Sequence, residues 1–488
     1  MTRMTITTLP ILALLVGCRG YGFGGSSMGV TPGGSQDIAL TRALIDEGSV
    51  PSRDHFTAEG LFSEHDLPLS GAPCEQSLCP LAAASLVNPV DGSGQQLLVQ
   101  LGFGTNIQED TFERSALDLS VALDISGSMQ DKLPALKYAF RELVAQLDEN
   151  DRLGIVTFGT VARVHENLRT MDARGKEKML DAIADLDDGG STDMESGMRK
   201  SIDMLESASD REGVSKRVML FADMQPNTGA TDEGSFLGML RAAADQDIAM
   251  TVFGVGLDMG SELAKEMSEV RGGNSVFLSD KQDIKQVFEE LDTLVSPIAY
   301  DLEVIVSPAN GLSFSQAIGA PLDDEAGQVE MGASTLFLSR RQGGIGALLD
   351  LQLGQDEQLP ELPMEIASFR ISYENLDGNI VNDEISVSWE GGGIHGTART
   401  PADQEGVYKM GSLIDEILAL EAAADWCSGD LDEQEALARI SAAQQSLSVV
   451  ALDLADAPMS AEVALLKQLE INVRSGTEAC VPADQYYY

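Results

Sequence analysis

The chain has 488 residues, 43 % apolar and only 5 % aromatic, enough for two to four domains with mainly aliphatic cores. Its 78 acidic residues against 32 basic ones give a formal net charge of -46. Such a surface repels phosphate backbones and anionic bilayers, which argues against nucleic acid as a partner and against charge-driven membrane binding. A solvated acidic shell fits this charge, and so does a salty native environment that screens self-repulsion.

The chain opens with Arg3, then an apolar stretch over 9–16 that is too short to span a bilayer, then Leu15-Val16-Gly17-Cys18. This quartet resembles the lipobox of bacterial lipoproteins. The resemblance implies a signal peptide over 1–17, acylation of Cys18, and an exported protein lipid-anchored in the cell envelope. Arg19 stands where an aspartate would favour inner-membrane retention, which leans toward the outer membrane in a Gram-negative source. A general secretory signal that happens to contain a cysteine is the alternative. Residues 18–36 are rich in Gly and Ser and read as a flexible tether.

The segment 37–116 carries a predicted helix over 38–47 and a strand over 96–103. Over 117–296 strand and helix patterns alternate. Strands read at 117–123, 153–158, 217–222 and 248–254, and Leu133, Leu136, Phe140, Leu143, Val144 and Leu147 recur at helical spacing. Further helices read at 176–186, 194–205, 234–245, 261–270 and 282–294. The alternation predicts an α/β fold, a doubly wound and mainly parallel sheet with helices on both faces. From 297 to 400 the period becomes two, and Asp377-Gly378 between alternating runs signals a hairpin in a β-rich domain. Residues 401–488 return to helical spacing and predict a small tail of three helices, broken at Ser428-Gly429-Asp430 and Asp456-Ala457-Pro458. Besides Cys18 there are Cys74, Cys79, Cys427 and Cys480. An even number in an exported chain predicts two disulfides, and proximity favours Cys74–Cys79 with Cys427–Cys480 among three possible connectivities. No zinc-knuckle spacing is present among the cysteines.

The first central strand runs into Asp124-Ile125-Ser126-Gly127-Ser128, a D-x-S-x-S pattern at the carboxyl end of a strand, where ligands bind in doubly wound sheets. Gly190-Ser191-Thr192-Asp193 opens a later helix, and Leu220-Phe221-Ala222-Asp223 ends a later strand. Two carboxylates and three hydroxyls form an all-oxygen set suited to a hard divalent cation: magnesium, manganese or calcium.

In this order and context the motifs resemble the von Willebrand factor type A (VWA) domain with its metal-ion-dependent adhesion site. The resemblance implies that Ser126, Ser128 and Thr192 coordinate the cation directly or nearly so, and that Asp124 and Asp223 do so directly or through water. It further implies that a protein partner's Glu or Asp fills an open coordination position. The sequence departs from many relatives at Met224, where they have glycine, and at Asp131-Lys132, where the lysine argues against an adjacent second metal site. The segment around Ile45-Asp46-Glu47-Gly48-Ser49-Val50-Pro51 also resembles bacterial VWA lipoproteins labelled calcium-activated chloride channel homologues. That label implies no channel here, because no segment after the signal is long and apolar enough to cross a membrane.

The leading expectation is therefore a non-enzymatic, metal-dependent binding protein of the envelope. A structural subunit of an envelope complex, with a purely structural metal, is one alternative. A secreted metal-dependent hydrolase is another, although H-E-x-x-H, G-x-S-x-G and P-loop motifs are missing. No catalytic residue is assigned. His55, His65, His165 and His395 read as surface or satisfied core residues.

Overall fold

A computed structural model describes residues 27–35, 38–71, 74–186, 191–223, 233–255, 266–278, 281–323, 325–350, 362–391 and 404–481. The predicted signal peptide, Cys18 and His395 lie outside them, as does the first half of the predicted helix 261–270.

The central sheet has seven strands in the order Gly34–Ser35, Gly273–Leu278, Ile248–Val255, Val214–Ala222, Ala116–Asp124, Arg152–Phe158 and Arg163–Thr170. All pairings are parallel except the last. Alternation along Ala116–Asp124 explains why both faces need helices. Leu117, Leu119, Val121 and Leu123 point into one core with Leu136, Phe140, Leu143 and Val144 of the helix Leu133–Gln146. Ala122 faces the opposite core with Met194, Met198 and Ile202 of the helix Met194–Glu206. Each fully buried Leu or Phe in such a core contributes roughly 1.5–3 kcal/mol.

Two further sheets form a β-sandwich. One runs Gly29–Pro32, Gln328–Ser339, Pro297–Pro308, Met364–Asn375 and Ile380–Trp389, with Leu322–Asp323 paired beside Gln328–Ser339. The other runs Ser313–Ile318, Ile345–Asp350, Gln96–Gly104 and Cys79–Val87. The expected hairpin is present: Asn375 N–H donates to Asn379 O at 2.9 Å, and Gly378 takes φ 78° in the turn. The strand Gln96–Gly104 is buried along its whole length. Its Leu97, Val99, Leu101 and Phe103 enter the sandwich core, while Leu98 faces the C-terminal helices.

Those helices, Glu405–Ser428, Glu433–Leu454 and Ala457–Ser475, begin and end where the breaks predicted. Asp432 and Asp456 cap the second and third, accepting from Glu435 N–H at 2.9 Å and Met459 N–H at 3.0 Å. Gly429 closes the first in the left-handed region at φ 88°. Cys74 is bonded to Cys79 and Cys427 to Cys480.

Three expectations change, and one strand is added. Residues 29–32 and 34–35, assigned to the free tether, are strands that add to the sandwich and to the central sheet. The segment before the central domain and the β-rich segment after it interleave, because Gln96–Gly104 pairs with Ile345–Asp350. The helical tail is not an appendage. Glu405–Ser428 is buried on nearly every face, and it shares one core with Ile45, Val50, Leu61 and Phe62 of the N-terminal segment. Finally, Arg163–Thr170 is an antiparallel edge strand whose mainly polar, exposed sequence gave no alternating signal.

Candidate metal centre

Parallel pairing brings the carboxyl ends of Ala116–Asp124 and Val214–Ala222 side by side, with Leu123 opposite Phe221. Asp124 therefore ends one strand beside Asp223, which follows the other. Both are fully buried. Past Asp124 the backbone turns: Ile125 N–H donates to Phe158 O at 2.8 Å, and Ser126 N–H donates to Asp124 Oδ1 at 2.8 Å. A short 3-10 turn, Gly127–Met129, then folds Ser128 back so that its Oγ lies 3.1 Å from Ser126 Oγ. Ser126 is buried and Ser128 is exposed.

The Thr192 loop docks on the neighbouring strand end. Asp193 N–H donates to Gly159 O at 2.9 Å, and Ser191 N–H donates to Thr160 Oγ1 at 3.1 Å. Thr192 is buried. Asp193 is occupied as a helix cap, accepting from Ser196 N–H at 3.1 Å and from Ser196 Oγ at 2.8 Å. Asp124, Ser126, Ser128 and Asp223 thus cluster above the sheet, and the Thr192 loop is held against the same edge. Gly190 and Met224 lie outside the described residues.

The donor set fits a hard cation. Asp124 Oδ2 is buried and has no hydrogen-bond partner among the described residues. Burial pushes the Asp124 carboxyl up to about 7; the Ser126 hydrogen bonds oppose the shift and the Asp223 charge adds to it. A divalent cation shared by the two carboxylates would offset both the burial and the repulsion.

Lys132 is a feature that sequence reasoning missed. It was read only as an argument against a second metal site. Its Nζ in fact lies 3.3 Å from Asp223 Oδ2, so a positive charge already faces one of the proposed ligands. Its place eight residues after Asp124, at the start of the next helix, was the available signal. Asp131 is exposed, in keeping with its reading as a surface acid.

Residues 118–290 match the von Willebrand factor type A domain, and the central α/β fold is of that type. Among curated proteins, the uncharacterized protein YfbK of Escherichia coli (strain K12) is 23 % identical over 273 residues, covering 54 % of this chain and 47 % of that one. The uncharacterized protein sll0103 of Synechocystis is 24 % identical over 184 residues, covering 38 % and 42 %. The chain thus spans about half the length of the curated relatives it matches. A solved structure, von Willebrand factor type A from Catenulispora acidiphila, matches with a TM-score of 0.46 and 14 % identity, over 83 % of this chain and 90 % of that one.

Proposed function

We propose that this chain is a non-enzymatic lipoprotein of the cell envelope whose VWA domain binds a protein partner through a divalent cation held by Asp124, Ser126, Ser128, Thr192 and Asp223. The observation that carries the reading is the buried Asp124 carboxylate at a strand end, with one oxygen unpartnered among the described residues and serine hydroxyls beside it. VWA domains generally mediate protein–protein interaction. When bound, the cation supplies an electrophilic open position for a carboxylate from the partner. Asp124 and Asp223 supply the negative charge that holds it, and the hydroxyls add neutral oxygens. Ser126 N–H fixes the orientation of Asp124 through Oδ1. Lys132 neutralises part of Asp223 and stands ready to contact the incoming acid. Cys18 would provide the lipid anchor; among the described residues no helix is long and apolar enough to cross a membrane.

The test is capture of partners from envelope extracts by the full-length protein, with magnesium or with chelator, for wild type, Asp124→Ala and Cys18→Ser. Wild type should sit in the membrane fraction, retain a partner only with magnesium, and melt higher when magnesium is restored. Asp124→Ala should lose both cation effects, and Cys18→Ser should leave the membrane fraction. Cation-independent capture by Asp124→Ala would defeat the adhesion reading, and membrane retention of Cys18→Ser would defeat the anchor.

A further inference from the structure

The C-terminal helices meet the N-terminal segment across a cluster of ionisable side chains that the top-of-sheet site does not use. Arg42, on the helix Ala39–Asp46, lies between two carboxylates. Its Nη2 is 2.9 Å from Glu462 Oε1, its Nη1 donates to Glu462 Oε2, and its Nη2 also donates to Glu64 Oε2. Glu64 Oε1 accepts from Ile38 N–H at 3.1 Å. His65 Nε2 lies 3.0 Å from Glu462 Oε1, and both side chains are almost wholly buried. Glu416, in the middle of the helix Glu405–Ser428, faces the Glu462 carboxylate. It is fully buried, and Glu462 is the side chain that its carboxyl meets.

Charge does not close in this cluster. Three carboxylates against one guanidinium leave an excess of two negative charges in the interior before His65 is counted, which is costly. A proton on Glu416 would cancel one of them. A dication would cancel both, leaving the set neutral.

The geometry also favours an ion. One ligand atom each from Glu64, His65 and Glu462 lie within 4.8 Å of one another. Ligands on opposite sides of an ion with bonds of about 2.0–2.2 Å are roughly 4 Å apart, so small side-chain shifts bring the three into one shell. The 3.0 Å between His65 Nε2 and Glu462 Oε1 suits two neighbours in such a shell as well as it suits a hydrogen bond. Arg42 uses only part of each carboxylate, because every oxygen carries two lone pairs. An entry route exists where the Arg42 and Glu64 side chains are 25 % and 23 % exposed.

We propose that Glu64, His65 and Glu462 form a second metal site, for a transition dication of the zinc class, at the seam between the N-terminal segment and the C-terminal helices, with the buried Glu416 adding negative charge beside Glu462. One imidazole among carboxylates suits zinc and its neighbours better than magnesium. Arg42 is a positioning residue that orients Glu64 and Glu462 and takes up the last negative charge. The ligands come from opposite ends of the chain, so the ion would staple the N-terminal segment to the third C-terminal helix and add its binding free energy to folding.

The test uses the full-length chain saturated with magnesium and then dialysed against zinc chloride, with metal content measured by plasma mass spectrometry. One zinc per chain should be retained, and Asp124→Ala should retain it too, which keeps this result separate from the top-of-sheet site. The zinc K-edge absorption of wild type should show one imidazole in the shell, a signature the all-oxygen set cannot give. His65→Gln should weaken zinc binding by about tenfold or more, and Glu416→Gln, which removes only a neighbouring charge, by less. No retained zinc, zinc without an imidazole, or zinc affinity unmoved by both substitutions would each overturn the proposal. So would wild-type chain that binds no zinc while Glu416→Gln melts higher, since a shared proton then does the neutralising. If either variant fails to fold, the wild-type absorption spectrum decides alone.

Discussion

At the top of the parallel sheet, Asp124 and Asp223 are buried with one lysine at the rim. At the seam, Glu64, Glu416 and Glu462 gather around an arginine that bonds two of them. The first cluster grows from strand ends in one domain. The second joins residues nearly four hundred positions apart. Lys132 Nζ lies 3.3 Å from Asp223 Oδ2 and its charge also acts on Asp124, so one ammonium is set against two buried carboxylates. Arg42 is built into its cluster, and the guanidinium's fixed fork of donors makes it part of the packing. The contrast lies in how the positive charge is held: a lysine ammonium placed at one buried carboxylate, against a guanidinium forked between two.

The largest effect that sharpens this contrast is in the pH dependence of the metal-free protein. The Asp124 carboxyl is raised from its ordinary value to about 7. Between about pH 4 and 7 the folded state therefore holds a proton that the unfolded chain has released. Stability without metal should fall as pH rises through that window, by at most about 4 kcal/mol at 1.36 kcal/mol per unit. Denaturant unfolding in chelator should show a steeper fall in wild type than in Asp124→Asn, because seam groups titrate alike in both and cancel in the difference. Parallel pH profiles for the two proteins would mean that Asp124 carries no burial cost.

Next is Arg42→Met. It leaves Glu462 buried without its main partner, at a cost on the order of 3 kcal/mol, toward the low end for a broken buried pair because Arg42 is partly exposed. Unfolding midpoints should drop, and amide exchange should speed up in the helix Ala39–Asp46 and in the third C-terminal helix. A cost under about 1 kcal/mol would place the seam among ordinary surface ion pairs.

The smallest effect is Lys132→Ala. It should raise magnesium affinity about two- to fivefold, roughly 0.4–1 kcal/mol, because Asp223 loses a competing cation. Calorimetric titration measures it. Lower affinity in the variant would make the lysine a helper of the ion rather than its rival.

What could be read in advance follows the same division. The central strands, their helices and the D-x-S-x-S turn are local: Leu117, Leu119, Val121 and Leu123 alternate within one strand, and Asp124 follows them directly. Both disulfide pairings followed from spacing. The seam is not local. His65 was set aside as a core or surface residue, and nothing near it in the sequence announces Glu462 or Arg42. The one available signal was Asp415-Glu416 inside the run Leu413 to Leu420, where a helix apolar on every side carries acids that must be buried. The strands at 29–32 and 34–35 escaped notice because a Gly- and Ser-rich stretch has little strand propensity, and only distant partners hold it in place.

The pairing of Gly29–Pro32 with Leu336–Ser339 has a mechanical side. Tension applied to the chain ahead of residue 27 meets the Ser27–Gln108 bridge first, then this four-residue strand and then the short pairing of Gly34–Ser35 with Asn274–Ser275. Only after both ladders give way does the load reach the helix Ala39–Asp46 and Arg42 at the seam. The central domain, whose strand ends carry Asp124 and Asp223, is linked to that line of force at its far edge, through the strand Gly273–Leu278. A pull on the chain ahead of residue 27 is therefore taken up first by hydrogen bonds over residues 27–35, and the turn that carries Asp124 is spared the first yield.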